Sequence, residues 1–391
     1  MQSEKTIAKK IIPSMKPYLP EEDIQEIIKG FETILRSGRL TLGKYTSEFE
    51  EKFAKYSGVK YAVAANSGTC TLEMIYRSLG IAGKEVITPT NTHISTSNTV
   101  LFAGGSPVLA DMEEDSLCID VEDAFSKVTE KTAAIVVVHV SGLIHPRIYE
   151  IARRCKEMKI TLIEDAAHAH GAMIDGRKAG SLSEAGSFSF YPAKVMTTVE
   201  GGMITTNNEE IAMTARELRN HGSDSSGLQV MLGYNWRMSE LHSMLGLVQL
   251  SRIEEIISRK QHIASRYIGA FADSQELNTI NVPHNMRHSY YKFPVVLGRQ
   301  VSVERVKASM KAQCGIETGS IYYPPCHLQP VYQRMFPRNK FGDLKTSEDV
   351  LRRTITLPIY AGMEETDVDY VVDSLLTSVK KFNDTTPVSS H

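Results

Sequence analysis

Short apolar runs alternate with helical stretches over the first two-thirds of this chain, and this alternation limits the possible folds more than any other feature. The apolar runs that predict strands are Tyr61–Ala65, Glu85–Thr88, Ser106–Ala110, Ala133–Val140 and Thr161–Ile163. Helical stretches such as Thr69–Leu79 and Pro146–Met158 separate most of them. Strands that are apolar throughout and joined by helices are typical of a mainly parallel sheet covered on both faces. The sequence therefore predicts an α/β fold built on such a sheet.

The pattern changes after a long helical stretch in the second half of the chain. Ser239–Ile263 has few helix breakers and predicts a long helix, and the segments beyond about residue 266 predict a smaller α+β unit that ends in a helix at Glu365–Phe382. We therefore expect a large domain with N-terminal helices over residues 1–255 and a small C-terminal domain over residues 256–391. The polar tail Asn383–His391 is expected to be disordered.

Composition argues against several classes of protein. The formal net charge of the 391 residues is −2, so the chain has no overall basic field that would attract nucleic acid or an anionic membrane. The N-terminus is polar, and no run approaches the roughly 18 apolar residues of a membrane-spanning helix. The five cysteines are scattered and form no CxxC pair. This pattern predicts a reduced cytoplasmic protein without disulfides or structural zinc.

The most specific chemical signal is a lysine that follows an acidic segment. The pair Glu164-Asp165 comes directly after the apolar run that ends at Ile163, and Lys194 lies one predicted strand later, at the end of Ser189–Lys194. Such a lysine can hold the aldehyde of pyridoxal 5′-phosphate (PLP) as a Schiff base, and such an aspartate can pair with the pyridinium nitrogen of the same cofactor. The alternative interpretations are a solvated surface lysine and a helix N-cap. The glycine-rich turn Glu200–Gly202 after the lysine favours the cofactor site.

Other polar residues would complete a PLP site. The turn Asn66–Cys70 follows the first predicted strand and opens a helix, where Gly68 allows close approach and the helix N-terminus favours an anion such as phosphate. Ser189 would add a hydroxyl to the same phosphate. His168 would lie beside the ring and hydrogen-bond its phenolic oxygen, and His93, which follows another strand, would stack on the ring.

Two other kinds of site were weighed against PLP. Asp165, His168 and His170 are residue types that bind zinc or iron, but no suitably spaced further ligand accompanies them, so the sequence predicts no metal. His170 is instead expected to be a structural residue. No GxGxxG motif opens a helix after a strand, which argues against an oxidoreductase with a dinucleotide-binding domain.

Together these residues resemble the DegT/StrS-type sugar aminotransferases, which have the fold-type-I PLP architecture. The resemblance extends from about Pro13 to Phe382. The most specific matching segments are Glu164–Gly171, Ser187–Gly202, His221-Gly222 and Tyr234–Glu240, followed by Leu40–Gly43, Tyr322–His327 and Leu357–Tyr360. The resemblance implies a large domain with a mainly parallel central sheet and a smaller C-terminal α+β domain.

The resemblance also implies roles for residues around the cofactor. Lys194 would be the catalytic Schiff-base lysine, Asp165 the pyridinium partner and His168 the neighbour of the ring. The phosphate ligands would be Ser189 and the main-chain groups of Gly68, Thr69 and Cys70. His93 departs from the family, which commonly has tryptophan or phenylalanine at the position that stacks on the ring.

Further matching residues would lie around the substrate and the partner subunit. Asn235 matches an asparagine that reaches the phosphate from the partner subunit, which implies a homodimer with shared active sites. Arg237, His327 and Tyr323 would lie near the substrate.

The resemblance implies a PLP-dependent transaminase. L-glutamate or glutamine would donate an amino group, pyridoxamine 5′-phosphate would carry it, and a nucleotide-linked keto-deoxy sugar would receive it, in amino-sugar, cell-surface polysaccharide or antibiotic biosynthesis. Lys194 argues against the branch of the family that has histidine at this position and dehydrates sugars. Two alternatives stay open: a transaminase for a cyclitol or another polyhydroxy ketone without a nucleotide, and a non-catalytic PLP-binding regulator.

Overall fold

A seven-stranded sheet lies at the centre of the molecule, whose computed structural model describes residues 10–337 and 340–383. The strands are β1 Tyr61–Ala65, β2 Glu85–Pro89, β3 Ser106–Ala110, β4 Thr132–Val138, β5 Thr161–Asp165, β6 Met173–Ile174, β7 Arg177–Lys178, β8 Ala185–Ser189, β9 Gly202–Thr206, β10 Leu277–Thr279, β11 Met286–Arg287, β12 Phe293–Leu297 and β13 Thr354–Leu357. The central sheet has the order β1-β9-β8-β5-β4-β2-β3. Neighbouring strands are parallel except where β9 pairs with β1 and β8. The predicted α/β fold with a mainly parallel sheet is confirmed.

Helices cover this sheet and continue into the second half of the chain. They are α1 Glu21–Ser37, α2 Lys44–Ser57, α3 Gly68–Ser78, α4 Ser95–Phe102, α5 Val121–Ser126, α6 Ile148–Glu157, α7 Glu209–Leu218, α8 Glu240–Phe271, α9 Val303–Cys314, α10 Pro330–Met335, α11 Lys345–Arg352 and α12 Glu365–Lys381. The sequence did not predict the short helices α4, α5, α10 and α11, because helices of six to eight residues depend on tertiary packing more than on a periodic pattern. Within the described part of the chain, no helix has both the length and the apolar character that a bilayer span needs.

Both faces of the central sheet are buried. Successive residues of its inner strands pack into different apolar clusters, as Ile87 and Val137 do on one face and Val86 and Val136 on the other. This explains why these strands read as unbroken apolar runs in the sequence.

The smaller unit has its own sheet and core. Strands β10, β12 and β13 form an antiparallel sheet, and α8 joins it to the larger unit. Apolar residues of α8 from Leu250 to Ile257 pack in the larger core, whereas those from Ile263 onwards pack in the smaller one. The predicted division at residue 255 therefore falls inside a continuous helix, near the place where the core changes, and it stays a prediction.

The chain termini pack on the smaller unit where they are described. Ile12 pairs with Ile316 and lies in the smaller core, although the sequence assigned this region to the large domain. Asn383 pairs with Val301, so the tail is ordered at its first residue. The rest of the predicted disordered tail lies outside the described residues.

One edge of the central sheet collects the polar segments found in the sequence. The carboxyl ends of β2, β4, β5 and β8 meet there because these strands are parallel. The segment after β1 and the start of β9 reach the same edge. Ligands bind at such edges in open α/β sheets, so this edge is where a site is expected.

Candidate active site

A cavity of about 370 Å³ opens at the carboxyl edge of the sheet, a size typical of small-molecule sites. Its walls come from the start of α3, the segment after β2, the ends of β4, β5 and β8, and two segments of the smaller unit. The predicted residues that line it are Gly68, Thr69, His93, Asp165, His168, Ser189 and Lys194. The structure therefore brings together residues from distant parts of the sequence.

Asp165 ends β5 and presents its carboxylate to the cavity. Thr96 in α4 donates its hydroxyl hydrogen to Oδ2 at 2.7 Å, and the Ala167 amide donates to Oδ1 at 3.1 Å. These two donors fix the carboxylate while leaving it acceptor capacity for a ligand N–H group. This is the arrangement that a pyridinium nitrogen requires.

Lys194 lies in the loop after β8, with its Nζ 4.5 Å from the ring centroid of Tyr291. Burial lowers the pKa of Lys194 to about 7; Asp165 opposes this shift and the nearby ammonium group of Lys292 adds to it. An amine with this pKa is partly neutral at neutral pH. It can therefore act as a nucleophile toward an aldehyde and as a base.

The start of α3 forms an anion cradle. Ser67 caps the helix by accepting the Cys70 amide proton at 3.2 Å, whereas the amides of Gly68 and Thr69 have no hydrogen-bond partner among the described residues. A Cβ atom on Gly68 would lie 2.8 Å from Cβ of Ser189, so glycine allows the helix to begin against the end of β8. Two amides and the Ser189 hydroxyl thus converge where a phosphate can bind.

His168 is buried next to the cavity and is held by several contacts. Its Nδ1 accepts the Ser141 amide proton at 3.3 Å, and its Nε2 lies 2.6 Å from the hydroxyl oxygen of Tyr322. Its ring stacks on Tyr291 with centroids 4.4 Å apart and planes 29° apart. Its predicted contact with the phenolic oxygen of the cofactor stays a prediction.

His93 lies at the exposed mouth of the cavity. Its Nδ1 is 2.7 Å from the Ser95 hydroxyl, and its ring meets Tyr322 edge to face at 5.7 Å. This position is compatible with the predicted stacking on the cofactor ring. The stacking role of His93 stays a prediction.

Five predicted residues lie outside the cavity lining. The amide of Cys70 is bound by Ser67, so the structure gives it no free donor for the phosphate. Asn235 is exposed, and Arg237 donates from Nη1 to Asn220 Oδ1 at 2.8 Å. Their predicted roles, including the reach of Asn235 into a partner subunit, stay predictions.

The other two lie on the smaller unit. Both ring nitrogens of His327 are engaged, with Thr90 Oγ1 at 2.7 Å and Glu348 Oε1 at 3.0 Å. Tyr323 is 43% exposed and lines a separate open cavity of about 550 Å³ with Glu348 and Lys345. Neither His327 nor Tyr323 lines the first cavity. Their predicted substrate roles stay predictions.

Sequence reasoning missed Thr96, Tyr291, Tyr322 and Lys292. Tyr291 and Tyr322 line the cavity, and Lys292 donates from Nζ to the Ser320 carbonyl at 2.8 Å behind them. Tyr322 stands beside Tyr323, which the sequence selected from the same segment. Local sequence carries no signal for this choice, because the backbone φ of 42° at Tyr322 and long-range packing decide which tyrosine faces inward.

Glu164, next to Asp165, points to the opposite face of β5. Its carboxylate is fully buried and accepts hydrogen bonds from His139 Nε2, the Gly180 and Leu182 amides and the Ser183 hydroxyl at 2.7 to 2.9 Å. This saturated carboxylate anchors the segment after β7 and leaves no capacity for a ligand.

His170 packs among aromatic side chains. It is buried against the rings of Phe188 and Phe190, with centroids 5.2 and 5.5 Å from its own. In the described ranges, no group of three or more His, Cys, Asp or Glu side chains is arranged to hold a metal ion. The five cysteines have free thiols.

The residues present fit PLP. The anion cradle suits its phosphate, Asp165 suits its ring nitrogen, and the amine of Lys194 suits its aldehyde. Gly68 supports this fit most directly, because its missing Cβ keeps the cradle against Ser189.

Comparisons with known proteins agree with this geometry. The chain is 35% identical over 344 residues to a GDP-perosamine synthase from Caulobacter vibrioides, covering 86% of this chain and 90% of that one. Its structure matches PseC from Helicobacter pylori, an aminotransferase involved in the biosynthesis of pseudoaminic acid, with a TM-score of 0.89, 28% identity and coverage of 95% and 100%. It also matches the PLP form of a putative sugar aminotransferase from Streptococcus pneumoniae, with a TM-score of 0.86, 27% identity and coverage of 94% and 98%.

A protein family also matches most of the chain. The match covers residues 21–376 and therefore includes the cavity and both units. The aminotransferases of this family use PLP, and the chain is a PLP-dependent transaminase. The chain belongs to the DegT/DnrJ/EryC1/StrS aminotransferase family.

Proposed function

We propose that this enzyme transfers the amino group of L-glutamate, with glutamine as the alternative donor, to a nucleotide-linked keto-deoxy sugar. The observation that carries the proposal is the convergence of Lys194 and Asp165 in one cavity of a transaminase whose relatives include a GDP-perosamine synthase. The product would be an amino sugar for a cell-surface polysaccharide or an antibiotic. The proposed setting is the cytoplasm, in keeping with the free thiols.

Lys194 would carry the proton transfer. When bound, PLP supplies an electrophilic aldehyde and a ring that accepts electrons. The neutral amine of Lys194 takes the proton released from the α-carbon of the amino donor, because its pKa of about 7 leaves part of it unprotonated. A positioned base of this kind contributes typically ~10²–10⁴-fold to the rate.

Asp165 and the cradle would hold and orient the cofactor. The Asp165 carboxylate, fixed by Thr96 and Ala167, would favour a proton on the ring nitrogen of bound PLP. The amides at the start of α3 and the Ser189 hydroxyl hold the phosphate. Groups that orient the cofactor in this way would favour proton transfer to Nζ of Lys194.

The mouth of the cavity supports a polyhydroxylated acceptor. His93, Ser95 and Glu200 are among its lining residues, and they offer hydrogen-bond donors and acceptors to sugar hydroxyls.

A second copy of the chain would complete the site. Leu228, Val230 and Leu232 are large exposed apolar side chains in the segment that precedes Asn235, and Leu232 is 94% exposed. Contiguous exposed apolar residues of this kind mark interaction surfaces. We propose a homodimer in which Asn235 of each copy reaches the phosphate site of the other.

Complementation tests the shared site. The variants Lys194→Ala and Asn235→Ala would each lose activity, and a mixture in which subunits exchange would regain part of it, because one site of the mixed dimer keeps both Lys194 and Asn235. A monomer in light scattering, or a mixture as inactive as its components, would contradict the shared site.

The enzyme with PLP tests the function. L-glutamate should be converted to 2-oxoglutarate in one equivalent per site, and further turnover should require a keto sugar. The candidate acceptors are GDP-, UDP- and dTDP-linked 4-keto-6-deoxy sugars, with a keto-cyclitol as the comparison. Amination of the cyclitol alone would replace the proposed acceptor, and glutamine-dependent turnover without glutamate activity would replace the donor. Absence of both half-reactions would leave the non-catalytic regulator.

A further inference from the structure

A chain of hydrogen bonds ends at the hydroxyl of Tyr322, inside the cavity. Burial lowers the pKa of His168 well below its ordinary value, and the charges of Lys194 and Lys292 add to this shift, so its imidazole is neutral and carries one proton. Because Nδ1 accepts the Ser141 amide proton, that proton resides on Nε2. His168 therefore donates to the Tyr322 oxygen at 2.6 Å.

The proton of Tyr322 is then left for another acceptor. Its hydroxyl has no hydrogen-bond partner except His168 among the described residues, and Tyr322 lines the cavity. Burial raises the pKa of Tyr322 well above its ordinary value, with Tyr291 and Asp165 adding to the shift, so the hydroxyl keeps its proton. The phenol thus presents a proton donor to whatever occupies the cavity.

The surrounding structure fixes this donor. Lys292 donates two hydrogen bonds that connect the surrounding segments. Its Nζ donates to the Ser320 carbonyl at 2.8 Å, and its amide donates to the Ser141 carbonyl at 3.3 Å. One residue therefore ties together the segments that carry both hydrogen-bond partners of His168. The left-handed backbone at Tyr322, with φ of 42°, is a conformation that persists only where the surroundings impose it.

We propose that Tyr322 is a further catalytic residue, whose hydroxyl donates a hydrogen bond to an oxygen atom of the bound ligand, and that His168 is the positioning residue that acts through it. This inference rests on the proposed function. Two oxygens share the required chemistry: the phenolic oxygen of the cofactor ring and the keto oxygen of the acceptor. The sequence assigned the phenolic oxygen to His168, whereas the geometry assigns the terminal donor to Tyr322.

The variant Tyr322→Phe tests the assignment, because it removes one oxygen and keeps the ring. The first measurement is a pH titration of the visible absorption of the PLP-loaded enzyme without substrate. If Tyr322 serves the phenolic oxygen, the pH midpoint of this absorption change rises by about one unit, because the variant loses a hydrogen bond to the charged form of that oxygen. The second measurement is the single-turnover rate of each half-reaction. If Tyr322 serves the keto oxygen, the acceptor half slows by ~10–10²-fold while the glutamate half and the titration are unchanged.

Matched variants separate this role from a structural one. Tyr290→Phe removes a hydroxyl from a nearby tyrosine that packs toward the smaller core, and it should change neither measurement. His168→Gln keeps an N–H donor and should shift the titration less than His168→Leu, which should reproduce part of the Tyr322→Phe effect.

Two outcomes overturn the inference. One is a Tyr322→Phe enzyme with wild-type titration and wild-type half-reactions, and the other is an equal effect in Tyr290→Phe. The titration needs only PLP, so a shift in it assigns Tyr322 to the phenolic oxygen even if no keto sugar is aminated and the proposed acceptor fails.

Discussion

Glu164 and Asp165 are adjacent carboxylates on opposite faces of the same strand. Glu164 faces the interior and accepts four hydrogen bonds, from His139, Gly180, Leu182 and Ser183. Asp165 faces the cavity and accepts two, from Thr96 and Ala167. The first is saturated by the protein, and the second keeps capacity for a ligand. The number of donors around a buried carboxylate, more than its burial, separates a structural role from a functional one.

Two buried lysines allow the same comparison. The pKa values of Lys194 and Lys260 are both lowered to about 7 by burial, but of the two only Lys194 lines the active-site cavity. Lys194→Met should therefore reduce turnover by at least ~10²–10⁴-fold, whereas Lys260→Met should stay within about tenfold of the wild type. The measurement is the initial rate of 2-oxoglutarate release with glutamate and acceptor. Comparable losses of turnover in both variants would contradict the claim that the location of Lys194 in the cavity, and not its lowered pKa alone, gives it a catalytic role.

An isosteric change at the two carboxylates should give opposite results. Asp165→Asn should lower kcat by about 10²-fold, because the amide cannot stabilise a protonated ring nitrogen, and it should change the free energy of unfolding by less than about 1 kcal/mol. Glu164→Gln should lower that free energy by about 2–4 kcal/mol, since its NH₂ group would face buried donors, and leave the kcat of the folded enzyme near the wild type. Rates and urea unfolding curves measure both. Similar profiles for the two variants would refute the comparison.

Glu164 and the buried lysines should contribute separately to the pH dependence of the free energy of unfolding. Burial by itself raises the pKa of Glu164, but the hydrogen bonds from His139 and the Gly180 and Leu182 amides outweigh it, so the pKa is lowered. A group with a lowered carboxyl pKa stabilises the fold above its unfolded value of about 4.3, and this contribution is lost as the pH falls. Glu164→Gln should flatten this acid limb in urea unfolding of the cofactor-free protein.

The lysines should produce a second limb, at neutral to alkaline pH. Burial lowers the pKa of Lys194 and Lys260 to about 7 and that of Lys292 to about 8, whereas the unfolded chain holds these protons up to about pH 10.4. Between these values the unfolded state binds more protons, so the free energy of unfolding should rise from pH 7 to 9. Lys260→Met should reduce the slope. A slope that is flat in the wild type would show that these amines stay charged in the fold.

The smallest expected effect concerns the cap of α3. Ser67→Ala removes the acceptor of the Cys70 amide and should lower the free energy of unfolding by about 1 kcal/mol. If the freed Cys70 amide then binds phosphate, the affinity for PLP should rise, and if its geometry is unsuitable the affinity should stay the same or fall. Equilibrium titration of the cofactor-free protein with PLP distinguishes the two results.

The sequence by itself determined the α/β class, the parallel strands and the chemistry of the site. Unbroken apolar runs can be buried only in a sheet covered on both faces, and Lys194 and Asp165 are recognisable because each follows such a run. The helix start at Gly68 could also be predicted from local sequence, because a predicted strand is followed there by a capping serine and a glycine.

Only the tertiary structure decided which neighbours of these residues face the cavity. Tyr322 was passed over for Tyr323, and Tyr291 was not selected, because side-chain direction in irregular segments depends on backbone angles and on contacts with segments more than a hundred residues away. The structure likewise showed that the Cys70 amide is already bound and that both nitrogens of His327 are engaged. Residue type and spacing predict what a side chain can do, but hydrogen-bond partners brought together by folding decide which groups remain available to a ligand.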